Sequence, residues 1–483
     1  MTRSILSASL TRPSWQWGPF RVEGPDEDAF TLGVAALRRL EGQLRPDGER
    51  ALRRLHIVGS FAPEADWAFG EALGIPKLEV RRHPPNSPGV WGALAAAAHD
   101  EGSRGREAVV VADVVELVDE STTGRGVKHA AGAAAFLLGK DPGLAVLPHG
   151  FRGHVPGRSP SLKGSVSGWL EALGLTPGHR KGEVVFEVEE DVGRWQAAWE
   201  EVAPGITVTL FEAPPRDLGP APTLRAAWLL WELARRLRTG ETGVVGEVAR
   251  GRSGFAGFRL DGPVRWFGSW GTTTSGLAAP DLKFLERDED LGTVSQGAYV
   301  PHPRYVENLA SRWRLTGERC AHCHTLTFPV TGRCRSCRRT NALHPEALRR
   351  TGLKVEAVTT VSPGAQPTEF DAVVRAAGGY DVAIVALGSE VRATVQLTDT
   401  LPRRLKVGDP VGLALRRLYP MEGEWRYGLK GIPERSGPEE TSEPPGATSR
   451  TPRRRASFGA PTGRRAMPRG SGGRAPSRRP RKR

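Results

Sequence analysis

All four cysteines of this 483-residue chain fall within eighteen positions. Cys320 and Cys323 form one C-x2-C, Cys334 and Cys337 a second, with ten residues between them. Each C-x2-C can fold into a tight knuckle that turns two thiolates toward one point. Two knuckles joined by a short hairpin supply four sulfurs, the tetrahedral shell that Zn2+ takes at about 2.3 Å per bond. Four protein ligands close the coordination sphere, so the metal expected here is structural and not catalytic. The alternative is two disulfides or four free thiols. The N-terminal MTRSILSASLTRPSW lacks the continuous apolar stretch of a secretory signal, which argues against oxidised pairs. His322 and His324 lie beside the first knuckle as substitute ligands, and are read as solvent-facing.

The net charge of +14 looks like a nucleic-acid signature until it is located. From Arg450 to Arg483 there are thirteen Lys and Arg and no Asp or Glu, which leaves 55 − 54 = +1 for residues 1–449. The basic character belongs to a tail. From about Glu434 onward Pro, Gly, Ser and Arg dominate, a composition that predicts a disordered segment over 434–483. No run of eighteen apolar residues is present, so no membrane-spanning helix is expected. The absence of cysteine outside the ribbon fits a reducing, cytoplasmic setting.

The elements that must position the cysteines read as an α/β chain of two or three domains. Asp26, Glu27 and Asp28 stand where acids would meet the positive end of a helix, and Phe30, Leu32, Val34, Leu37 and Leu40 then recur at near-helical spacing. LHIVGSF from Leu55 is a short buried strand, ADWAFGEALGI a helix, and KLEVRRH another strand. GVWGALAAAAHDEG is small and apolar enough for a deeply packed helix. REAVVVADVVE is a strand, and AAGAAAFLLG with GLAVLPH reads as a hairpin. A similar order repeats: GSVSGWLEALGL helical, EVVFEV a strand, DVGRWQAAWEEVA helical, ITVTLFEA a strand. LRAAWLLWELARRLRTG is then a long helix, and TGVVGEVARG with GFAGFRLDG a closing strand pair. Two halves of similar layout predict an internally duplicated layered domain. Trp228 and Trp231 in the long helix could form an interface, although core packing is the simpler account. GSWGTTTSG, from Gly268 to Gly276, lacks the Lys and the strand-to-helix context of a phosphate loop. Beyond Cys337, LKVEAVTTV, FDAVVRAA, YDVAIVALG, EVRATVQLTD, DPVGLALRRL and EWRYGLKGI read as five or six short strands of a small Greek-key barrel of OB type.

The segment from Tyr299 to Pro433 resembles the zinc-ribbon/OB-fold proteins that accompany thiolase-superfamily enzymes. The resemblance rests on YVPHPRYVENLASRWRLTGERCAHC, the two knuckles, VQLTD at Val395 to Asp399, LKVGDPV at Leu405 to Val411 and WRYGLKGIP at Trp425 to Pro433. The first ~265 residues are similar to the thiolase fold, and within it to archaeal-type 3-hydroxy-3-methylglutaryl-CoA synthases. That similarity rests on VEGPDEDAFTLGVAAL at Val22 to Leu37, LHIVGS at Leu55 to Ser60 and PGVWGALAAAA at Pro88 to Ala98. The resemblance implies a duplicated α-β-α-β-α sandwich over 1–267, a connector over 268–312, a zinc ribbon over 313–340, an OB-fold domain over 341–433, and the basic tail.

It also implies a chemistry that this chain departs from. The synthases use a cysteine, a histidine and a glutamate for condensation on an acyl-CoA thioester. By alignment with that pattern the nucleophile position falls on Ser87, the glutamate on Phe61 and the histidine on Glu212. Residues 1–319 contain no cysteine, so condensation through a cysteinyl acyl-enzyme is excluded. A serine needs an adjacent base, and His83 and His99, the nearest in sequence, read as structural.

The reading favoured by these departures is a non-catalytic fusion. It would bind a thiolase or synthase-type partner, and CoA or acyl-CoA, in homo- or hetero-oligomers. An active acyltransferase or hydrolase using Ser87 is the first alternative. Binding of RNA or acidic surfaces through the barrel and the tail is the second. The barrel offers only Phe370, Tyr380, Tyr419, Trp425 and Tyr427 for stacking on bases.

Overall fold

The chain opens on a strand that its patterning did not announce. In the computed structural model β1 spans Ser4–Thr11, and a bulge between Ile5 and Ser7 puts Ile5, Ala8 and Leu10 into one core. The serines serve the other side, where Ser9 Oγ donates to Ala36 O at 2.6 Å. The structure describes residues 3–17, 20–43, 51–100, 105–115, 117–120, 124–127, 130–147, 167, 182–188, 192–202, 206–211, 222–249, 252–268, 277–278, 300–367, 370, 374, 377–421 and 424–434.

A hairpin of β2 (Trp15–Trp17) and β3 (Phe20–Val22) leads to α1 (Ala29–Arg39). There follow β4 (Leu52–Gly59), α2 (Ala65–Leu73), β5 (Glu79–His83), α3 (Ser87–His99) and β6 (Arg106–Asp113). A small hairpin of β7 (Leu117–Glu120) and β8 (Gly124–Val127) precedes β9 (Gly132–Gly139) and β10 (Leu144–Val146). The second half continues with β11 (Gly182–Val188), α4 (Val192–Val202), β12 (Thr207–Phe211) and α5 (Pro222–Ala234). It ends with β13 (Thr242–Ala249), β14 (Arg252–Leu260), β15 (Arg265–Phe267) and β16 (Leu277–Ala278). The helix expected over GSVSGWLEALGL lies, apart from Ser167, outside the described residues.

The duplication is visible in the main sheet, whose path runs β12-β11-β13-β14-β10-β1-β9-β6-β4-β5. Taking β1, β4, β5, β6 and β9 as strands one to five of a first half, the order is 3-2-4-5-1, with the fifth antiparallel to the rest. Taking β10 to β14 as a second half gives the same order with the same antiparallel fifth strand. The two first strands, β1 and β10, meet antiparallel at the centre. This corrects one expectation. The segments AAGAAAFLLG and GLAVLPH do not form a hairpin, because β1 inserts between them. Helices α3 and α5 hold equivalent places in the two halves and share one apolar core on one face of the sheet. Trp228 is buried in it, as expected of a core residue, with Trp231 packed against it.

Helices α1 and α2 cover the opposite face, and their core does not stop at the first half. Two short helices, α6 (His302–Glu307) and α7 (Leu309–Arg314), stand where a connector was expected. Tyr305, Leu309 and Trp313 enter the same cluster as Phe30 and Phe69, together with Leu415 from further on. Next come β17 (Thr316–Cys320), β18 (Leu326–Thr327) and β19 (Leu343–Ala347), a three-stranded sheet ordered β18-β17-β19.

The last strands are β20 (Leu353–Val361), β21 (Tyr380–Ala386), β22 (Arg392–Gln396), β23 (Pro410–Met421) and β24 (Glu424–Pro433). They pair in the order β22-β21-β20-β23-β24, and a bridge between Leu397 and Gly431 draws the two ends together. The strand expected over FDAVVRAA is not formed by its described residues. Val374 and Ala377 are helical, with Gly378 N donating to Val374 O at 2.8 Å. A Gly pair at 378–379 with positive φ ends that turn and admits the chain into β21. Residues 1–446 form one compact unit.

Candidate functional site

The four cysteines converge. Their sulfurs all lie within 4.8 Å of one another, with Cys320–Cys337 at 3.6 Å, Cys323–Cys334 at 3.4 Å and Cys323–Cys337 at 3.5 Å. Tetrahedral Zn–S bonds of about 2.3 Å require sulfur separations of about 3.8 Å, so the donor set fits such an ion with little adjustment. All four are free of disulfides. The knuckles are built alike. Cys320 N donates to Thr325 O at 3.1 Å and His324 N to Cys320 O at 2.8 Å; Cys334 N donates to Arg339 O at 2.8 Å and Arg338 N to Cys334 O at 3.1 Å. In each, the residue after the second cysteine is left-handed, His324 at φ 59° and Arg338 at φ 63°. His322 and His324 are exposed, and neither joins the sulfur cluster. Glu390 ties the β18-β17-β19 sheet to the strands beyond it, accepting from Leu326 N at 3.2 Å and from Arg319 at 3.1 Å.

Of the three positions aligned with synthase chemistry, the two that are described, Ser87 and Phe61, lie in different cores of the main sheet. Ser87 is the first residue of α3, with 1% of its surface exposed, and Asn86 caps the helix by accepting from Gly89 N at 2.8 Å. Phe61 is buried on the other side of the sheet, in the α1/α2 core, against the Phe69 ring at 5.6 Å. Glu212 lies outside the described residues. The histidines near Ser87 are directed elsewhere. His99 closes α3 twelve residues away, about 18 Å along the axis.

His83 belongs to a buried chain that sequence reading missed. Its Nε2 meets His56 Nδ1 at 2.8 Å, and His56 Nε2 meets Glu107 Oε2 at 2.9 Å. Glu107 also faces Arg54 at 3.1 Å and Arg3 at 3.4 Å, with His56 and Glu107 fully buried. Burial, with His56 and Arg81 adding repulsion, pushes the His83 imidazole down to about 4. The parallel register of β4 with β5 and β6 assembles this chain, setting His56 beside Arg81 and Val109. A second polar cluster supports the adjoining half: Asp113 at the end of β6 accepts from Thr223 Oγ1 at 2.6 Å and from Thr223 N at 3.2 Å, capping α5.

The acids ahead of α1 do something other than was expected of them. Only Asp28 serves the helix, accepting from Thr31 N at 2.8 Å as its N-cap. Asp26 and Glu27 precede the helix and are buried against the far end of the chain. Asp26 pairs with Lys430 at 2.9 Å and accepts from Thr398 Oγ1 at 3.2 Å. Glu27 pairs with Arg416 at 2.9 Å, and Arg416 also holds Asp399 at 2.9 Å. Tyr427 Oη donates to Asp28 at 2.8 Å. Burial disfavours the Asp26 carboxylate, but Lys430 and Arg416 outweigh it and hold that carboxyl below its usual range. Burial pushes Glu27 up to about 8, against the pull of Arg416 and with Asp399 adding to the rise.

The five aromatics considered for base stacking are taken up internally. Tyr380 and Tyr419 are buried around Phe370, Tyr427 packs on Phe30 at 5.1 Å, and the Arg417 guanidinium covers Trp425 at 4.5 Å. No described helix is long and apolar enough to cross a membrane.

No family model matches the sequence, and no curated protein matches it. Solved structures similar to it include MvaS in complex with 3-hydroxy-3-methylglutaryl coenzyme A, at 16% identity and a TM-score of 0.41, over 54% of this chain and 84% of that one. The acyltransferase ChlB3 is 19% identical with a TM-score of 0.41, over 54% and 98% of the two chains. The 3-oxoacyl-[acyl-carrier-protein] synthase III of Aquifex aeolicus VF5 is 14% identical with a TM-score of 0.39, over 53% and 99%.

Proposed function

We propose that the chain is a non-catalytic member of the acyl-CoA acyltransferase setting, a thiolase-like half fused to a zinc ribbon and an OB-type barrel that scaffolds a thiolase or 3-hydroxy-3-methylglutaryl-CoA-synthase-type partner. The observation that carries the reading is chemical. A thioester-condensing site needs a thiolate, and residues 1–319 offer none. Ser87 is buried at the head of α3, Phe61 lies in an apolar core on the other sheet face, and His83 is hydrogen-bonded to His56. Structural Zn2+ is held by Cys320, Cys323, Cys334 and Cys337, and does no chemistry on a substrate. Any CoA or acyl-CoA in this reading belongs to the partner's reaction, held between partner and scaffold.

Two features suit a scaffold. Asp26, ion-paired with Lys430, and Glu27, in buried contact with Arg416, join the first half to strands β20–β24, so the two present one fixed surface. Strand β5 ends the main sheet among the described residues, and a sheet edge is where a second chain can add a strand. The test combines size-exclusion chromatography of the zinc-loaded chain with purified partner synthase or thiolase, and intact-mass spectrometry after incubation with acetyl-CoA. The expected outcome is a stable complex and no covalent adduct. An acetyl adduct abolished by Ser87→Ala would replace this reading with acyl transfer through serine.

A further inference from the structure

A balance of +1 over residues 1–449 hides a local concentration of charge. From Val330 to Pro345 the sequence VTGRCRSCRRTNALHP holds four arginines and no Asp or Glu. Arg333, Arg335, Arg338 and Arg339 all sit on the second cysteine knuckle, and all are exposed. None of the four pairs with a carboxylate among the described residues. Glu346 and Glu390, the acids at the margin of the knuckle, are taken up by Arg319. A zinc tetrathiolate carries two negative charges, and the four guanidinia still leave a surplus of about two positive charges over it.

The backbone holds these arginines in fixed places. Cys334 N donates to Arg339 O at 2.8 Å, Arg338 N to Cys334 O at 3.1 Å and Thr331 Oγ1 to Arg333 O at 3.0 Å. Arg335 donates to Glu390 O at 3.2 Å. Arg338 takes the left-handed position, at φ 63°, where Gly or Asn would be held at less cost. The exposed residues between the arginines are Thr331, Gly332, Ser336, Thr340 and Asn341, with no aromatic or large aliphatic side chain. That composition selects the partner. Protein interfaces are anchored by apolar and aromatic groups, and single-stranded bases are held by stacking on aromatics. Arg, Ser, Thr and Asn without either are the side chains that grip phosphate oxygens.

We infer that the second cysteine knuckle is a nucleic-acid contact, its guanidinia lying along the phosphate backbone of a duplex and reading no base. The surface is distinct from the basic tail, and it does not rest on the scaffold reading. Binding of the full-length zinc-loaded chain to a short mixed-sequence DNA duplex, and to an RNA duplex of the same sequence, is followed by fluorescence anisotropy as salt is raised. Log affinity should fall linearly with log salt. In the triple variant Arg333→Gln, Arg338→Gln, Arg339→Gln the slope should be shallower by about 2–3, since each phosphate contact contributes about 0.9. The tail is present in both chains, so the difference reads the knuckle alone, with zinc content and melting temperature reporting that the variant is folded. In the wild type, saturating duplex should slow phenylglyoxal modification of Arg333, Arg338 and Arg339, read by peptide mass spectrometry, which decides the matter even if the variant does not fold. An unchanged slope in the folded variant, or knuckle arginines left unprotected in the wild type, would overturn the assignment and leave the tail as the contact. Polyglutamate binding as tightly as the duplexes at equal charge would overturn it in favour of an acidic protein.

Discussion

At the scale of single residues, the chemistry of this chain is decided by what its polar groups are already doing. His83 stands four residues before Ser87, where a base would be sought, but it ends a hydrogen-bonded chain that runs through His56 to Glu107. The consequence is a pH dependence with a definite sign. The folded imidazole is pushed down to about 4, whereas an unfolded histidine titrates near ~6.5. Between those values the unfolded chain binds a proton that the folded chain does not, so this group's contribution is present above ~6.5 and is lost as pH falls toward 4. Urea-unfolding midpoints measured from pH 7 to pH 4 should therefore fall more steeply for the wild type than for His83→Gln, which keeps a donor for His56. Parallel curves would mean that His83 is protonated in the folded state.

Elements were legible in the sequence to the extent that their signals were local. The cysteine knuckles were, because two C-x2-C motifs fix their own geometry within eighteen residues. The repeated β-α order was too, and the sheet bears it out. What failed was what depends on distant partners. Nothing in SILSASLT says that it will insert between two later strands, since its small residues are chosen to fit Ala36 O on one side and α3's core on the other. FDAVVRAA reads as a strand by composition, yet its described residues turn helically ahead of Gly378. Asp26 and Glu27 looked like helix-end charges because their partners, Lys430 and Arg416, come from β24 and β23 at a great distance along the chain. The four-cysteine cluster carries the element-scale prediction. Metal analysis should give one zinc per chain, and Cys334→Ser, which removes a buried ligand, should release it and melt the β17–β19 sheet. Because Trp313 is buried beside Phe30 and Tyr427, metal loss is expected to leave the α1/α2 core standing. Loss of near-ultraviolet tryptophan signal over the whole chain on chelation would contradict that separation.

On the scale of the whole molecule, the question is whether the five-stranded sheet of β20–β24 is an appendage or part of one folding unit. The buried ion pairs answer differently from a surface contact. Asp26 and Lys430 are 2% and 0% exposed, and Glu27, Arg416 and Asp399 lie beside them. Taking charges out of water is costly, and their mutual attraction offsets the cost only while every partner is present. Lys430→Met should thus leave Asp26 buried and unpaired, destabilising the chain by about 3–5 kcal/mol. Adding Asp26→Asn to that variant should recover much of the loss, since the uncompensated charge is gone. The coupling between the two substitutions is the readout, because independent sites add within about 0.5 kcal/mol and paired ones do not. If that sheet and the first half fold as one unit, both variants should still unfold in a single transition, shifted in midpoint. A separate early transition in Lys430→Met, with the α1/α2 core unfolding later, would show that the pair holds together two bodies able to fold apart, and the fixed surface proposed for partner docking would then depend on this one contact.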